Sequence, residues 1–201
     1  MKKVLPVLLV LCINFGYAQE KIIGFTINHK FGLRSGLREN GGATFGMNFN
    51  AFSEKNVYTI GYNKIEEINF LFTTYYPHED FHEIYTMFGH FDRKRISRFQ
   101  YQIGLSVLWG VARGKQIFTN NNYKFGPYGL SLGSSKQFER KDFVTIGIPL
   151  MVAYHLHIGE IMSLGLELNT NINYISTTFN LVLCMEFGWM PHARKPSDKN
   201  Q

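Results

Sequence analysis

The chain has 201 residues, of which 45% are hydrophobic, 15% aromatic and only 18% charged, with a formal net charge of +6. That length holds one domain, and the small charged share beside an ordinary apolar share excludes a disordered, collagen-like or polyionic chain. Beyond the N-terminus no run of about 20 apolar residues occurs, so no transmembrane helix is expected.

Lys2 and Lys3, the apolar stretch 4–15 and the small residues Gly16 and Ala18 around Tyr17 have the layout of a secretory signal peptide, with cleavage expected before Gln19. The stretch is too short to span a bilayer, and Cys12 follows Leu11 where a lipoprotein carries a small residue. Without Lys2 and Lys3 the basic excess is mild. It suits the phosphates of an acidic lipid surface and does not point to nucleic acid. Past the leader Cys184 is the only cysteine, so no intramolecular disulfide is expected.

From there the chain alternates with a period of two, the signature of strands. Ile23, Phe25, Ile27 and Phe31 alternate with Gly24, Thr26, Asn28 and Lys30, and Phe45, Met47, Phe49 and Ala51 with Thr44, Gly46, Asn48 and Asn50. Two weaker strands are expected near 57–69 and 81–91, with ambiguous faces. Phe99, Tyr101, Ile103, Leu105, Val107, Trp109 and Val111 then oppose Gln100, Gln102, Gly104 and Ser106, and Val144, Ile146, Ile148, Leu150, Val152, Tyr154 and Leu156 oppose Thr145, Gly147, Ala153 and His155. In 162–174 the leucines alternate with Ser163, Gly165, Glu167, Asn169, Asn171 and Asn173. In 177–189, Phe179, Leu181, Leu183, Met185, Phe187 and Trp189 alternate with Thr178, Asn180, Val182, Cys184, Glu186 and Gly188. The count is eight.

Alternation alone also fits a soluble barrel that turns its apolar face inward. Such a barrel shows Lys and Glu to water, whereas the polar face here is Gly, Ser, Thr, Asn and Gln. A narrow lumen of small polar groups behind a lipid-facing apolar stripe accounts for both faces. The strands are long enough to cross a bilayer at the usual tilt, and closure satisfies every backbone group, as lipid requires. The fold class expected is all-β: a closed antiparallel up-and-down transmembrane β-barrel of eight strands, preceded by a cleaved signal peptide. Residues 1–18 form the leader, 19–189 the barrel and 190–201 a periplasmic C-terminal tail. Connections 53–56, 92–96 and 157–161 are short and read as periplasmic. Those at 32–42, 70–80 and 112–142 are longer and read as external, with a tight turn at 175–176; within the last long one, 125–138 is expected to extend the hairpin beyond the membrane, since Tyr128, Leu130 and Leu132 continue the alternation. Tyr58, Phe99, Tyr101, Tyr154, Phe187 and Trp189 gather at the periplasmic ends as an interfacial girdle.

The Ala18-Gln19 leader end, eight alternating strands and aromatic-terminated last strand resemble the small outer-membrane β-barrel proteins of Gram-negative bacteria over essentially the whole mature chain. The resemblance implies residence in the cell outer membrane, contact with its lipids including lipopolysaccharide, and insertion by the barrel assembly machinery, which reads a terminal aromatic. Phe187 and Trp189 stand in that place, followed by a tail that departs from the strict pattern.

Lys30, His155, Glu167 and Glu186 fall on inward faces, where ionisable groups must be paired; they are expected to form a polar network that plugs the lumen. Arg34, Arg38, Arg113, Lys115 and Lys124 fall in external loops and are candidate contacts for lipid phosphates or a surface partner. His78-Glu79-Asp80-Phe81-His82 matches the H-E-x-x-H zinc motif, which needs a helix; a strand sets its histidines about 13 Å apart. No metal site, no catalytic set and no cofactor is expected. Some related barrels act on lipid A acyl chains, with His and Ser two residues apart on one outward strand. Neither His29 nor His155 has such a serine, so the expected function is non-enzymatic, structural or surface-interacting through the external loops. A lipid A acyl hydrolase and a narrow channel are the alternatives.

Overall fold

The computed structural model describes residues 22–36, 41–67, 73–120, 124–125, 130–131, 134–175 and 177–189; the expected signal peptide and C-terminal tail lie outside them. Eight long strands make the barrel: β1 (Gly24–Gly36), β2 (Gly41–Phe52), β3 (Asn56–Glu67), β4 (Asp80–Arg93), β5 (Ser97–Asn120), β6 (Ser134–Ile158), β7 (Met162–Asn173) and β8 (Thr178–Trp189). Each pairs antiparallel with its successor, and β8 returns to β1 in a register running from Phe25↔Trp189 to Gly36↔Thr178. The ring is closed.

Burial is inverted relative to a soluble protein. Phe25, Leu183 and Ile146 are 50%, 65% and 66% exposed on the outer wall, while their strand neighbours Thr26, Cys184 and Gly147 are buried. An uninterrupted apolar belt around a polar interior is stable only in lipid, so this is a membrane-spanning barrel. Tyr101, Tyr154, Phe187 and Trp189 lie exposed at the end of the belt that carries the short turns, with the Tyr58 ring 5.1 Å from that of Phe88, as an interfacial girdle does.

Those turns, at 53–55, 94–96 and 159–161, occupy the expected periplasmic end. The first two are closed by Ser53 N–H to the Asn56 carbonyl at 2.9 Å and Lys94 N–H to the Ser97 carbonyl at 2.8 Å. Gly159 takes a φ of +76° in the third, a conformation open to glycine and strained for most residues.

At the opposite end the structure departs from the expected loop at 112–142. β5 and β6 are 24 and 25 residues long, about twice the length of their neighbours, and stay paired as far as Asn120↔Ser135. Above Val111, the last β5 residue paired with β4, they continue as a two-stranded ribbon. The short strand Thr73–Tyr76 pairs parallel with its β6 side. Register shifts between Arg113 and Gln116 and between Gln116 and Phe118 break the alternation, which is why the β5 side of the ribbon does not read as strand, whereas the hairpin extension expected over 125–138 is met on the β6 side from Ser134.

The two weak strands are also resolved. Val57, Thr59, Asn63 and Ile65 of β3 and Phe81, Glu83, Tyr85 and Met87 of β4 point inward, while Ile60, Tyr62, Ile84 and Phe88 point to lipid. Both faces carry large apolar groups because the lumen is not polar throughout. Ile65, Phe81 and Ala112, with Phe143 and Ile175, cluster at the external mouth. Tyr85, Met87 and Met151 cluster deeper inside.

Candidate functional site: the barrel lumen

The strand period delivers side chains to the lumen in layers. Nearest the short turns, Phe52 packs edge-on against Phe91, ring centroids 5.2 Å apart, and the Arg98 guanidinium lies 4.6 Å from the Phe52 ring centroid. Arg98 Nη2 donates to both carboxylate oxygens of Glu186, at 2.8 and 2.7 Å. Ser163 Oγ donates to the same carboxylate at 2.6 Å, Thr26 Oγ1 also donates, and Asn50 Nδ2 reaches it at 3.3 Å. Thr59 completes the layer by donating to Asn50 Oδ1 at 2.7 Å. A carboxylate without solvent needs a counter-charge and filled lone pairs, and Glu186 has both.

The next layer outward pairs Lys30 Nζ with Glu167 Oε2 at 2.6 Å, with Nζ 5.6 Å from the Tyr85 ring centroid. His155 joins the two layers: its Nδ1 is 3.5 Å from Glu186 Oε2 and 3.8 Å from Cys184 Sγ, and its Nε2 is 4.0 Å from Glu167 Oε1. Further out, Glu83 accepts from Asn63 Nδ2 at 3.0 Å and from Asn171 Nδ2, which also reaches Ser106 Oγ at 2.7 Å. Asn28, Asn48, Gln100 and Gln102 present buried amides to this interior without a protein partner; amides in such a place are met by water.

The external mouth is closed by cations against aromatic rings. Arg34 sits 4.4 Å from the Phe81 ring centroid and 3.7 Å from Glu79 Oε2. Arg113 is ion-paired with Glu67, donates from Nε to the Pro77 carbonyl at 3.0 Å, and lies 4.7 Å from the Tyr75 ring centroid. It ties the 73–79 segment to the foot of the ribbon.

Lys30, His155, Glu167 and Glu186 thus lie inside, as their strand parity predicts, and form one connected cluster. Sequence reasoning missed Arg98 and Glu83. Arg98 immediately precedes the alternation that starts at Phe99, and Glu83 lies in a strand whose faces both read as apolar. Arg34 and Arg113 are corrections. They were expected in external loops, but strand pairing continues past both, and parity turns them inward to 5% and 8% exposure. Lys115 is exposed on the ribbon. Lys124 belongs to a two-residue strand, Lys124–Phe125, and Arg38 lies outside the described residues. The H-E-x-x-H histidines do not converge. His82 faces outward, ring-stacked on Trp109 at 5.5 Å and hydrogen-bonded to the Tyr62 hydroxyl at 2.7 Å, while exposed His78 packs by Tyr76. His29 also faces outward, between Asn28 and Lys30.

No family model and no curated protein matches the sequence. Solved structures do. Neisserial surface protein A superposes with a TM-score of 0.56 at 8% identity, over 82% of this chain and 95% of that one. The N-terminal β-barrel domain of Pseudomonas aeruginosa OprF gives 0.51 at 9% identity, over 84% and 98%. Ail, the attachment invasion locus protein of Yersinia pestis, gives 0.51 at 7% identity, over 85% and 100%. All are small outer-membrane barrels of Gram-negative bacteria. At such identities the likeness lies in the fold, and this chain has the fold of an outer-membrane β-barrel.

Proposed function

We propose that the protein is a non-enzymatic outer-membrane barrel that works through its external surface, with the barrel itself as a sealed scaffold. The observation that carries this reading is the ribbon formed by the distal halves of β5 and β6. It adds nothing to closure of the ring, yet it is paired, braced by Thr73–Tyr76 and anchored by Arg113. A hairpin connection needs only about 2–5 residues, so joining β5 to β6 does not account for it. Ile117 and Phe118 are exposed on it beside Lys115, a mixture of apolar and basic groups suited to a surface partner or to the phosphates of lipopolysaccharide. Lys124, in the short strand Lys124–Phe125 between β5 and β6, belongs to the same external side. The lipid-facing belt takes outer-membrane lipids as its solvent, and Phe187 and Trp189 at the end of β8 suit recognition by the barrel assembly machinery.

Two measurements test the reading. Lipid A from cells with and without the protein is expected to have the same acyl composition by mass spectrometry; loss of an acyl chain only in the presence of the protein would favour a hydrolase. Replacement of residues 114–139 by a short turn is expected to leave a barrel that still migrates anomalously on unboiled gels, while removing binding of displaying cells to immobilised lipopolysaccharide or surface protein. Binding that survives the replacement would overturn the assignment to the ribbon.

A further inference from the structure

His155, Glu167 and Cys184 reach one point of the lumen from three adjacent strands, and one ligand atom from each lies within 4.8 Å of the others. The backbone makes this possible at Gly165. It is the register partner of both His155 on β6 and Cys184 on β8, and a methyl group there would collide with the Cys184 sulfur and the imidazole. With no side chain on the middle strand, the thiol and the ring meet above it. All three groups are buried, with Cys184 Sγ 3.8 Å from the Nδ1 side of the His155 ring. Glu167 holds Lys30 with Oε2 and leaves Oε1 without a hydrogen bond. His155 Nε2, 4.0 Å from that oxygen, has none either.

The geometry points to a binding site for a thiophilic divalent cation of the zinc class, held by Cys184 thiolate, His155 Nε2 and Glu167 Oε1. Cysteine, histidine and carboxylate are the zinc donor types, and bonds of about 2.0–2.3 Å require the three atoms to close by about an ångström, within the reach of side-chain torsions. Glu186 beside Nδ1 supplies the outer carboxylate that commonly fixes a ligating imidazole so that its other nitrogen faces the metal. A divalent ion that takes the place of the thiol proton, released to solvent, adds one positive charge beside the buried carboxylates Glu167 and Glu186. The same three residues have the types of a thiol-based catalytic triad, but all three are buried inside the lumen, away from the acyl chains outside the barrel wall.

The test uses the full chain carrying Cys12→Ser, so that Cys184 is the only thiol, refolded into detergent micelles with Co²⁺ or Zn²⁺ and freed of excess metal. One ion per chain is expected, and the cobalt form should show thiolate-to-cobalt charge-transfer absorption in the near ultraviolet. Cys184→Ser should abolish that absorption, His155→Gln should weaken retention at least tenfold, and Gly165→Ala should do the same by filling the gap. Anomalous gel migration identifies the variants that have folded, and His155→Gln serves if Cys184→Ser does not fold. Cobalt retained without charge-transfer absorption, absorption that persists in Cys184→Ser, or no retained metal at all would each overturn the site.

Discussion

Glu186 shows how single residues are constrained in this interior. Its carboxylate collects donors from Arg98, Ser163, Thr26 and Asn50, and no part of it reaches solvent. Removing one partner of a buried ion pair typically costs about 3–5 kcal/mol, because the survivor is left charged and uncompensated, while removing both together costs far less. Arg98→Met should therefore destabilise the barrel by about 3–5 kcal/mol in denaturant unfolding of the refolded protein. Arg98→Met combined with Glu186→Gln should recover much of that loss, since the neutral amide keeps partners in Ser163 and Thr26. A double variant no more stable than the single one would show that Arg98 acts through its packing on Phe52 and not through charge.

A strand here must present one face to hydrocarbon and the other to a crowded polar lumen, so neighbouring positions should respond oppositely. Leu183, at mid-strand on β8, is 65% exposed to lipid. Leu183→Arg should destabilise the barrel by about 2–4 kcal/mol, the range for a cation at the bilayer midplane. Asn180→Ser on the inner face should cost about 1 kcal/mol, the worth of its hydrogen bond from Thr44 at 3.0 Å. Equal losses in the same unfolding assay would mean the faces are exchanged. This contrast of environments is also what makes the fold legible. β1, β2, β7 and β8 read directly from sequence because their inner residues are small or polar and their outer ones large and apolar. β3 and β4 resist because Ile65, Phe81, Tyr85 and Met87 give the lumen apolar clusters of its own. The distal halves of β5 and β6 resist because bulges shift the parity. The lumen cluster was half legible for a related reason. Parity along one strand identifies Lys30, His155, Glu167 and Glu186, but the meeting of Cys184 with His155 depends on register across Gly165, which a linear pattern does not contain.

At the scale of the whole molecule the question is whether the closed ring is a passage. Eight strands enclose a space that side chains fill, and here the filling is layered. Phe52 with the Arg98–Glu186 pair closes the end with short turns, Lys30–Glu167 with Tyr85, Met87 and Met151 closes the middle, and Ile65, Phe81 and Ala112 beneath Arg34 and Arg113 close the external mouth. These layers draw side chains from opposite walls, so opening one means separating buried ion pairs or unpacking rings, and a permeating ion would have to displace all three in turn. Purified protein in planar bilayers should accordingly show no sustained conductance steps. Phe52→Ala with Arg98→Ala, which opens one layer only, should leave the bilayer equally silent, because the middle and external layers still span the lumen. Steady steps from the unaltered protein would mean that the layers move aside together, and would make the lumen, in place of the ribbon, the working part of the molecule.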